Sequence, residues 1–220
     1  MSKKIGIVSE GVSDYRTLQH ITERILKTKI EDGEEYYTIR LNPKEVKNKQ
    51  QGFCAWQGVF TYISGQDNNA LIVEALKEGC EYVIVQIDTD VCEQYGVKHD
   101  LTNIEMLWEN VRKKLEESVH PHFDKSKLIY AICIDELECW LIPFVNNDEN
   151  RCKNMDRCLN IVNNDIRRDG FYIHKDDKNS LGARRAYEHI LGKKKKPKDI
   201  IAISKFNYGF HKFVEQLERL

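Results

Sequence analysis

Two hydrophobic rhythms alternate along the first 145 positions. Short, nearly continuous apolar runs at residues 4–9, 36–41, 82–87 and 127–134 read as strands. Between them the apolar positions fall at helical spacing: Leu18, Ile21 and Ile25 to about Lys27, then Ile104, Leu107, Trp108, Val111 and Leu115 on one face. Ser13 is expected to cap the first helix, with Asp14 adding negative charge to its first turn. The second strand should stop at Asn42-Pro43. Residues 44–66 are mixed, with a short helix expected near Val59 and Ile63. A further helix is expected from Asn68 or Asn69 through Leu71, Ala75 and Leu76, closing at Gly79. The fourth strand leads into Asp135-Glu136-Leu137-Glu138-Cys139-Trp140-Leu141-Ile142-Pro143, expected as a short helix halted before its proline. Such alternation predicts an α/β fold, a parallel sheet between helix layers with right-handed crossovers.

Beyond residue 145 the rhythm becomes purely helical. Residues 146–150 form a polar linker, and helices are expected over 154–168 (Met155, Leu159, Val162 and Ile166 inward), 180–191 and 209–220. The division expected is therefore a sheet-bearing domain, 1–145, and a helical extension, 146–220. The chain's 220 residues suit one large domain, or one domain with a small appendage. No apolar stretch reaches the roughly 18 residues of a membrane span. The opening Met-Ser-Lys-Lys runs directly into a strand without an apolar leader, which predicts a cytoplasmic chain with no membrane partner. Seven cysteines include no Cys-x-x-Cys pair; Cys54, Cys80 and Cys133 are expected as reduced core or near-core residues, without structural zinc.

Charge changes the picture. The net charge of −1 divides into −9 over residues 1–150 and +8 over residues 151–220. An acidic half fits a cation and a basic half fits a polyanion, although two halves of opposite sign can simply attract each other.

The chemistry concentrates at strand ends. Ile5-Gly6-Ile7-Val8-Ser9-Glu10-Gly11 is an apolar run closed by a carboxylate and a glycine. Tyr82-Val83-Ile84-Val85-Gln86-Ile87-Asp88-Thr89-Asp90 closes on an Asp-x-Asp pair. In an open parallel sheet, sites form at the carboxyl ends of neighbouring strands. If these strands are neighbours, Glu10, Asp88 and Asp90 converge, and three crowded carboxylates call for a divalent cation. Asp14 reads more simply as a helix-dipole residue. On a helix Glu136 and Glu138 stand about 200° apart, so only one could face the site. Glu138 is preferred as an added ligand, with Asp135 or Glu136 as the alternative. Arg184, Arg185, Lys193, Lys194, Lys195, Lys196, Lys198 and Lys205 are candidates for phosphate-backbone contact. Lys178 or Lys205 could stand near the reacting phosphate. His120, His122 and His174 read as surface residues, because hard Mg²⁺ prefers oxygen.

These motifs carry a resemblance. A strand followed by Glu-Gly-x-Ser-Asp, a later strand followed by Asp-x-Asp, and an acid followed by x-Trp-Leu resemble the Toprim fold of topoisomerases, bacterial primases and OLD-family nucleases. The compact form with a basic helical tail is most similar to small Toprim-like proteins of prokaryotic defence loci. Over roughly residues 3–145, the resemblance implies that Glu10 is the general acid/base or a metal ligand. It implies that Asp88 and Asp90 bind Mg²⁺ or Mn²⁺, one ion or two, with Glu138 the best match for a further ligand. It also implies a nuclease, a hydrolase acting on DNA or RNA, in antiviral defence and restrained by a regulatory partner protein. The oligomeric state is left open. The chain lacks the tyrosine domain, ATPase domain and zinc module of the larger relatives, so those activities are not implied.

Two other readings compete. A haloacid-dehalogenase-like phosphatase also uses Asp-x-Asp at a strand end, but on its first strand. A non-catalytic regulatory or binding subunit could keep the fold without using its acids.

Overall fold

The computed structural model describes residues 3–27, 35–41, 56–65, 75 and 77–220. Four strands, β1 (Lys3–Val8), β2 (Tyr36–Arg40), β3 (Cys80–Asp88) and β4 (Leu128–Cys133), form one sheet in the order β2-β1-β3-β4. Every pairing is parallel, with Ile5 opposite Thr38, Val8 opposite Val85 and Asp88 opposite Cys133. The helices are α1 (Val12–Leu26), α2 (Trp56–Ser64), α3 (Ile104–Ser118), α4 (Glu138–Val145), α5 (Glu149–Cys152), α6 (Cys158–Ile166), α7 (Leu181–Leu191), α8 (Pro197–Ser204) and α9 (Tyr208–Glu218). The expected α/β architecture is present. The helix expected around Leu71 lies mostly outside the described residues, as does Cys54.

Side chains alternate across the pleat, so each central strand serves two cores. Val83, Val85 and Ile87 of β3 join Val59 and Ile63 of α2 and Leu107, Val111 and Leu115 of α3. Ile84, on the opposite face, joins Ile5 and Ile7 of β1, Leu18 and Ile21 of α1, and the helices that follow β4. That second core contains Trp140, Val162, Ile190, Ile200, Phe210 and Phe213, so the C-terminal helices are packed against the same sheet. Burying each such side chain stabilises the fold by about 1.5–3 kcal/mol.

β4 is an edge strand, and α9 covers it. Gln216 accepts a hydrogen bond from the Tyr130 N–H at 2.9 Å and donates one to the Tyr130 carbonyl at 3.0 Å, taking the place of a neighbouring strand. The close approach requires Gly209: a Cβ there would lie 2.2 Å from the Ile132 carbonyl oxygen. Trp140 stacks on Phe210 and Phe213, with ring centroids 5.1 and 5.5 Å apart, and ties α4 to the same helix.

Local details depart from the sequence expectations. Gly11, not Ser13, occupies the N-cap of α1, and the Ser13 hydroxyl turns to the Asp14 carboxylate at 3.3 Å. α4 runs through Pro143 instead of stopping before it. Complete burial of Trp140, Leu141, Ile142 and Phe144 offsets the hydrogen bond that Pro143 cannot donate. α6 starts only at Cys158, because Arg157 takes a left-handed conformation (φ 53°) and leaves Met155 outside the helix. α8 has no counterpart among the expected helices; Pro197 opens it at the position where a missing N–H is harmless. Among the described residues no helix is long and apolar enough to cross a membrane.

Candidate metal centre

The first condition for convergence is met: β1 and β3 are direct neighbours, and their carboxyl ends lie side by side. Three residues close a ring of hydrogen bonds there. The Glu10 N–H donates to Gln86 Oε1 at 2.9 Å, Gln86 Nε2 donates to Asp88 Oδ1 at 2.8 Å, and the Asp88 N–H donates to Glu10 Oε1 at 2.7 Å. Gln86 is fully buried in an otherwise apolar strand, and these bonds are what satisfy it. The Tyr95 hydroxyl donates to the Asp88 carbonyl at 3.0 Å and holds the strand end from the other side.

β3 ends at Asp88, so Asp90 sits in the following turn, exposed at the rim. Thr89 fastens that turn to β4. Its N–H donates to the carbonyls of Cys133 and Asp135, both at 3.0 Å, and its hydroxyl accepts from the Asp135 N–H at 2.8 Å. Asp135 adopts φ 64°, a left-handed conformation that aspartate tolerates better than most residues. Helix α4 therefore begins only at Glu138, and the helical argument separating Glu136 from Glu138 does not apply. Both reach one ammonium: Lys178 Nζ lies 2.8 Å from Glu138 Oε1 and 3.5 Å from Glu136 Oε2.

Glu138 is wholly buried. Its Oε1 also accepts from the Tyr187 hydroxyl at 2.5 Å, while its Oε2 has no hydrogen-bond partner among the described residues. Glu136 Oε1 accepts from the Leu159 N–H at 3.0 Å. Asp14, on the first turn of α1, is buried and interacts electrostatically with Glu138 and Lys178. Glu136 and Glu138 thus contact the Lys178 ammonium, Asp14, Asp88 and Asp90 interact with it electrostatically, and Glu10 joins the group through Asp14, Asp88 and Asp90.

The excess of negative charge registers in the titration of the group. Burial, reinforced by Asp14 and Asp90, pushes Glu10 up to about 8. Burial and then Glu138 push Asp14 up to about 6, with Lys178 opposing. Burial, Glu10 and Asp14 drive Asp88 well above the usual carboxylate range. Partial desolvation raises Asp90 with Lys178 opposing, and burial followed by Glu138 raises Glu136. Lys178 moves upward despite its own burial, because Glu138 and Glu136 favour its charge. Each of these acids therefore holds its proton more tightly than it would in water.

Of the sequence-derived candidates, Glu10, Asp88, Asp90 and Glu138 influence one another electrostatically and Lys178 joins them, but no three of these four acids bring ligand atoms within 4.8 Å of one another. Lys205 instead occupies the exposed C-cap of α8. Arg184 and Arg185 lie on α7, and Lys193, Lys194, Lys195 and Lys196 link it to α8. Arg184 and Lys195 line a cavity of about 590 Å³ between α1 and α7, together with Arg16, His20 and Arg24. Glu23 and Glu188 also line that cavity, Glu188 lying 3.7 Å from Arg16, and Tyr187 forms part of its wall while bonding Glu138, so this cavity and the acidic region share a partition. Lys193 is engaged by Asp169 at 2.6 Å. Gln86 and Tyr187 carry no site role in the sequence reading, and Asp14 and Glu136 carry only lesser ones. The usable signal for Gln86 is a lone amide inside an apolar strand; Tyr187, on the apolar face of its helix, offers none.

Cys80 and Cys133 are unpaired, but Cys139 and Cys158, both fully buried, form a disulfide that joins α4 to α6. With Asp135 they are the one group of three potential ligand side chains whose donor atoms all fall within 4.8 Å among the described residues. The disulfide engages both sulfurs, which leaves that group without thiolates. Comparison of the chain with models of protein families, with curated proteins and with solved structures finds no match.

Proposed function

We propose that the chain is a Mg²⁺- or Mn²⁺-dependent phosphodiesterase of Toprim-like type, a nuclease acting on DNA or RNA. The observation that carries the reading is the Glu10–Gln86–Asp88 ring at the carboxyl ends of adjacent parallel strands, surrounded by desolvated carboxylates in excess of the Lys178 ammonium. The donor set suits a hard divalent ion: it is all oxygen and anionic, and Glu138 Oε2 is buried without a partner among the described residues. Mg²⁺ is commonly held by one or two carboxylates and several waters, so the carboxylates need not collapse onto a single point.

Glu10 and Asp88 would hold the ion, with Asp90 at the rim and Glu138 behind. Bound there, a divalent cation lowers the pKa of water and neutralises charge on the phosphate, whether one ion is used or two. The chain's own residues supply the rest. Gln86 fixes the Asp88 carboxylate and the Glu10 main chain, while Thr89 and Tyr95 immobilise the turn that carries the acids. Burial raises the proton affinity of Glu10, and as a ligand it would release that proton when the cation binds. Lys178, oriented by Glu138, offers positive charge to a pentavalent phosphate. Arg184 and Lys195, across the Tyr187 partition, suit contact with the flanking backbone. An effector role in prokaryotic antiphage defence, restrained by a partner protein, belongs to the same proposal and rests on the sequence resemblance.

The test is calorimetric titration with Mg²⁺ and Mn²⁺, wild type beside Asp88→Asn/Asp90→Asn, with cleavage of DNA and RNA followed on the same samples. The expected result is metal binding that the double variant loses, with metal-dependent cleavage. A wild-type protein that binds neither ion would refute the reading.

A further inference from the structure

A second concavity opens on the face of the sheet covered by α2 and α3. It has a volume of about 780 Å³, in the range of small-molecule sites, and is lined by Trp56, Phe60 and Thr61 of α2, Gln94 and Tyr95 beyond β3, and Lys114 of α3. Its three rings form one cluster: Trp56 and Phe60 meet edge to face at 5.9 Å, and Tyr95 lies 5.5 and 5.3 Å from them. Tyr95 is the buried base of the cluster, whereas Trp56 and Phe60 are half-exposed and offer ring surface to the cavity. The Trp56 indole N–H is held by Gln94 Oε1 at 3.2 Å, which fixes the ring in place. The Lys114 ammonium has no ion-pair or hydrogen-bond partner among the described residues.

This cavity is wired to the acids. The Tyr95 hydroxyl bonds the Asp88 carbonyl, and the Trp56 main-chain amide donates toward the Glu10 carboxylate. The wall of the cavity is therefore tied to the strand end that carries Glu10 and Asp88. Aromatic faces beside an unpaired ammonium and the Gln94 and Thr61 side chains match a nucleotide: stacking surface for a base, hydrogen-bonding groups for its edge, and positive charge for a phosphate. A base inside a duplex has both faces covered by its neighbours and cannot use such a platform; an unstacked base can.

We propose that this aromatic cavity binds an unpaired nucleobase of the strand whose phosphate lies at the acidic centre, so that the chain selects single-stranded or locally unpaired nucleic acid. The proposal rests on the nuclease reading for its biological sense, but its binding step needs no metal. Of the three tryptophans, Trp108 and Trp140 are buried, which leaves Trp56 as the accessible reporter.

The experiment is tryptophan-fluorescence titration of the full chain in EDTA with single-stranded oligo(dT), oligo(dA) and oligo(U), with a duplex of matched length, and with an apolar peptide. Single strands are expected to quench saturably, the duplex weakly, and Trp56→Phe to lose the signal. Phe60→Ala should weaken binding by roughly 5- to 150-fold, the effect of losing one base–aromatic stack. Phe60→Leu, which keeps apolar bulk but removes the ring, should move affinity in the same direction and guards against misfolding of the alanine variant. Absence of quenching, equal quenching by duplex, response to the peptide alone, or unchanged affinity in a folded Phe60→Leu would each overturn the proposal. A protein that binds single strands in EDTA but never cleaves them would refute the nuclease reading and leave this one standing. A protein that cleaves while Trp56 stays silent would do the reverse.

Discussion

Replacing Glu10 with glutamine separates a desolvated anion from an ordinary hydrogen-bonding group. Below about pH 4.5 Glu10 carries its proton in both the folded and the unfolded chain. Between 4.5 and about 8 the unfolded chain ionises it and the folded chain does not. The unfolded state then binds fewer protons, so stability falls as pH rises through this window. The full gap between those values is worth about 5 kcal/mol, at roughly 1.36 kcal/mol per pH unit. Glu10 is only partly shielded from solvent, so we expect about half of that, roughly 2–3 kcal/mol, to appear at pH 8. The replacement amide cannot ionise, yet its oxygen can still accept from the Asp88 N–H as the Glu10 carboxylate does.

Thermal unfolding in EDTA at pH 5 and pH 8 provides the assay. Glu10→Gln should match wild type near pH 5 and exceed it by roughly 4–12 °C at pH 8, at about 2–4 °C per kcal/mol for a chain of this size. Reading variant against wild type at each pH removes His20, whose proton affinity is lowered by burial and whose effect on stability therefore has the opposite slope. Mg²⁺ at pH 8 should stabilise wild type and stabilise the variant less, since a ligand that binds only the folded state adds its binding free energy. A variant that is weaker than wild type by the same amount at both pH values would refute the reasoning. Glu10 would then be a structural acceptor with no ionisation penalty.

Three further outcomes are expected. Lys178→Met should cost about 3–5 kcal/mol in chemical denaturation by leaving the Glu138 carboxylate buried and unpaired, and Lys178→Met/Glu138→Gln should recover most of it; equal stability of single and double variants would exclude the coupling. Cys139 and Cys158 are separated by 19 positions, so reduction should lower stability by about 3 kcal/mol on the chain-entropy estimate, read as a shift in denaturation midpoint with reductant. Gly209→Ala should destabilise by about 1–3 kcal/mol through its clash with the Ile132 carbonyl, measured by the same denaturation; an unaffected midpoint would mean that α9 does not press on β4 as described.

How much of this is legible in the sequence depends on how local the determining interaction is. The strands announce themselves, because a parallel strand buried on both faces must be apolar throughout, and residues 82–87 are apolar apart from Gln86. The convergence of Glu10 with Asp88 follows from one topological condition, adjacency of β1 and β3, which the sheet satisfies. The Lys178 contact is different in kind: it spans 40 positions to Glu138, and only the packing of α6 and α7 around α4 brings the loop before α7 onto the acids. A helical rule separates Glu136 from Glu138, and it fails because Asp135 bends the chain before the helix begins. Asp14 reads as a dipole residue and does lie in the first turn of α1, but burial against Glu138 and Lys178 gives it a second setting that sequence cannot display.

The electrostatics also weigh on the competing readings. A haloacid-dehalogenase-like phosphatase needs an ionised aspartate free to attack phosphorus. Asp88 ends the third strand and is held by Gln86 beside Glu10, whereas that class carries its Asp-x-Asp on the first strand. A purely structural or regulatory subunit would face the opposite difficulty. Glu10, Asp14 and Asp88 each destabilise the ionised fold, since burial raises the pKa of all three, and a scaffold gains nothing from that penalty. Gln86 nevertheless holds the Asp88 carboxylate and the Glu10 main chain, and Tyr95 holds the Asp88 carbonyl, at the end of a sheet whose cores are otherwise apolar. At neutral pH protonation relieves that penalty, and the metal-dependent reading proposed above requires a cation that displaces these protons and turns the penalty of ionisation into a favourable interaction.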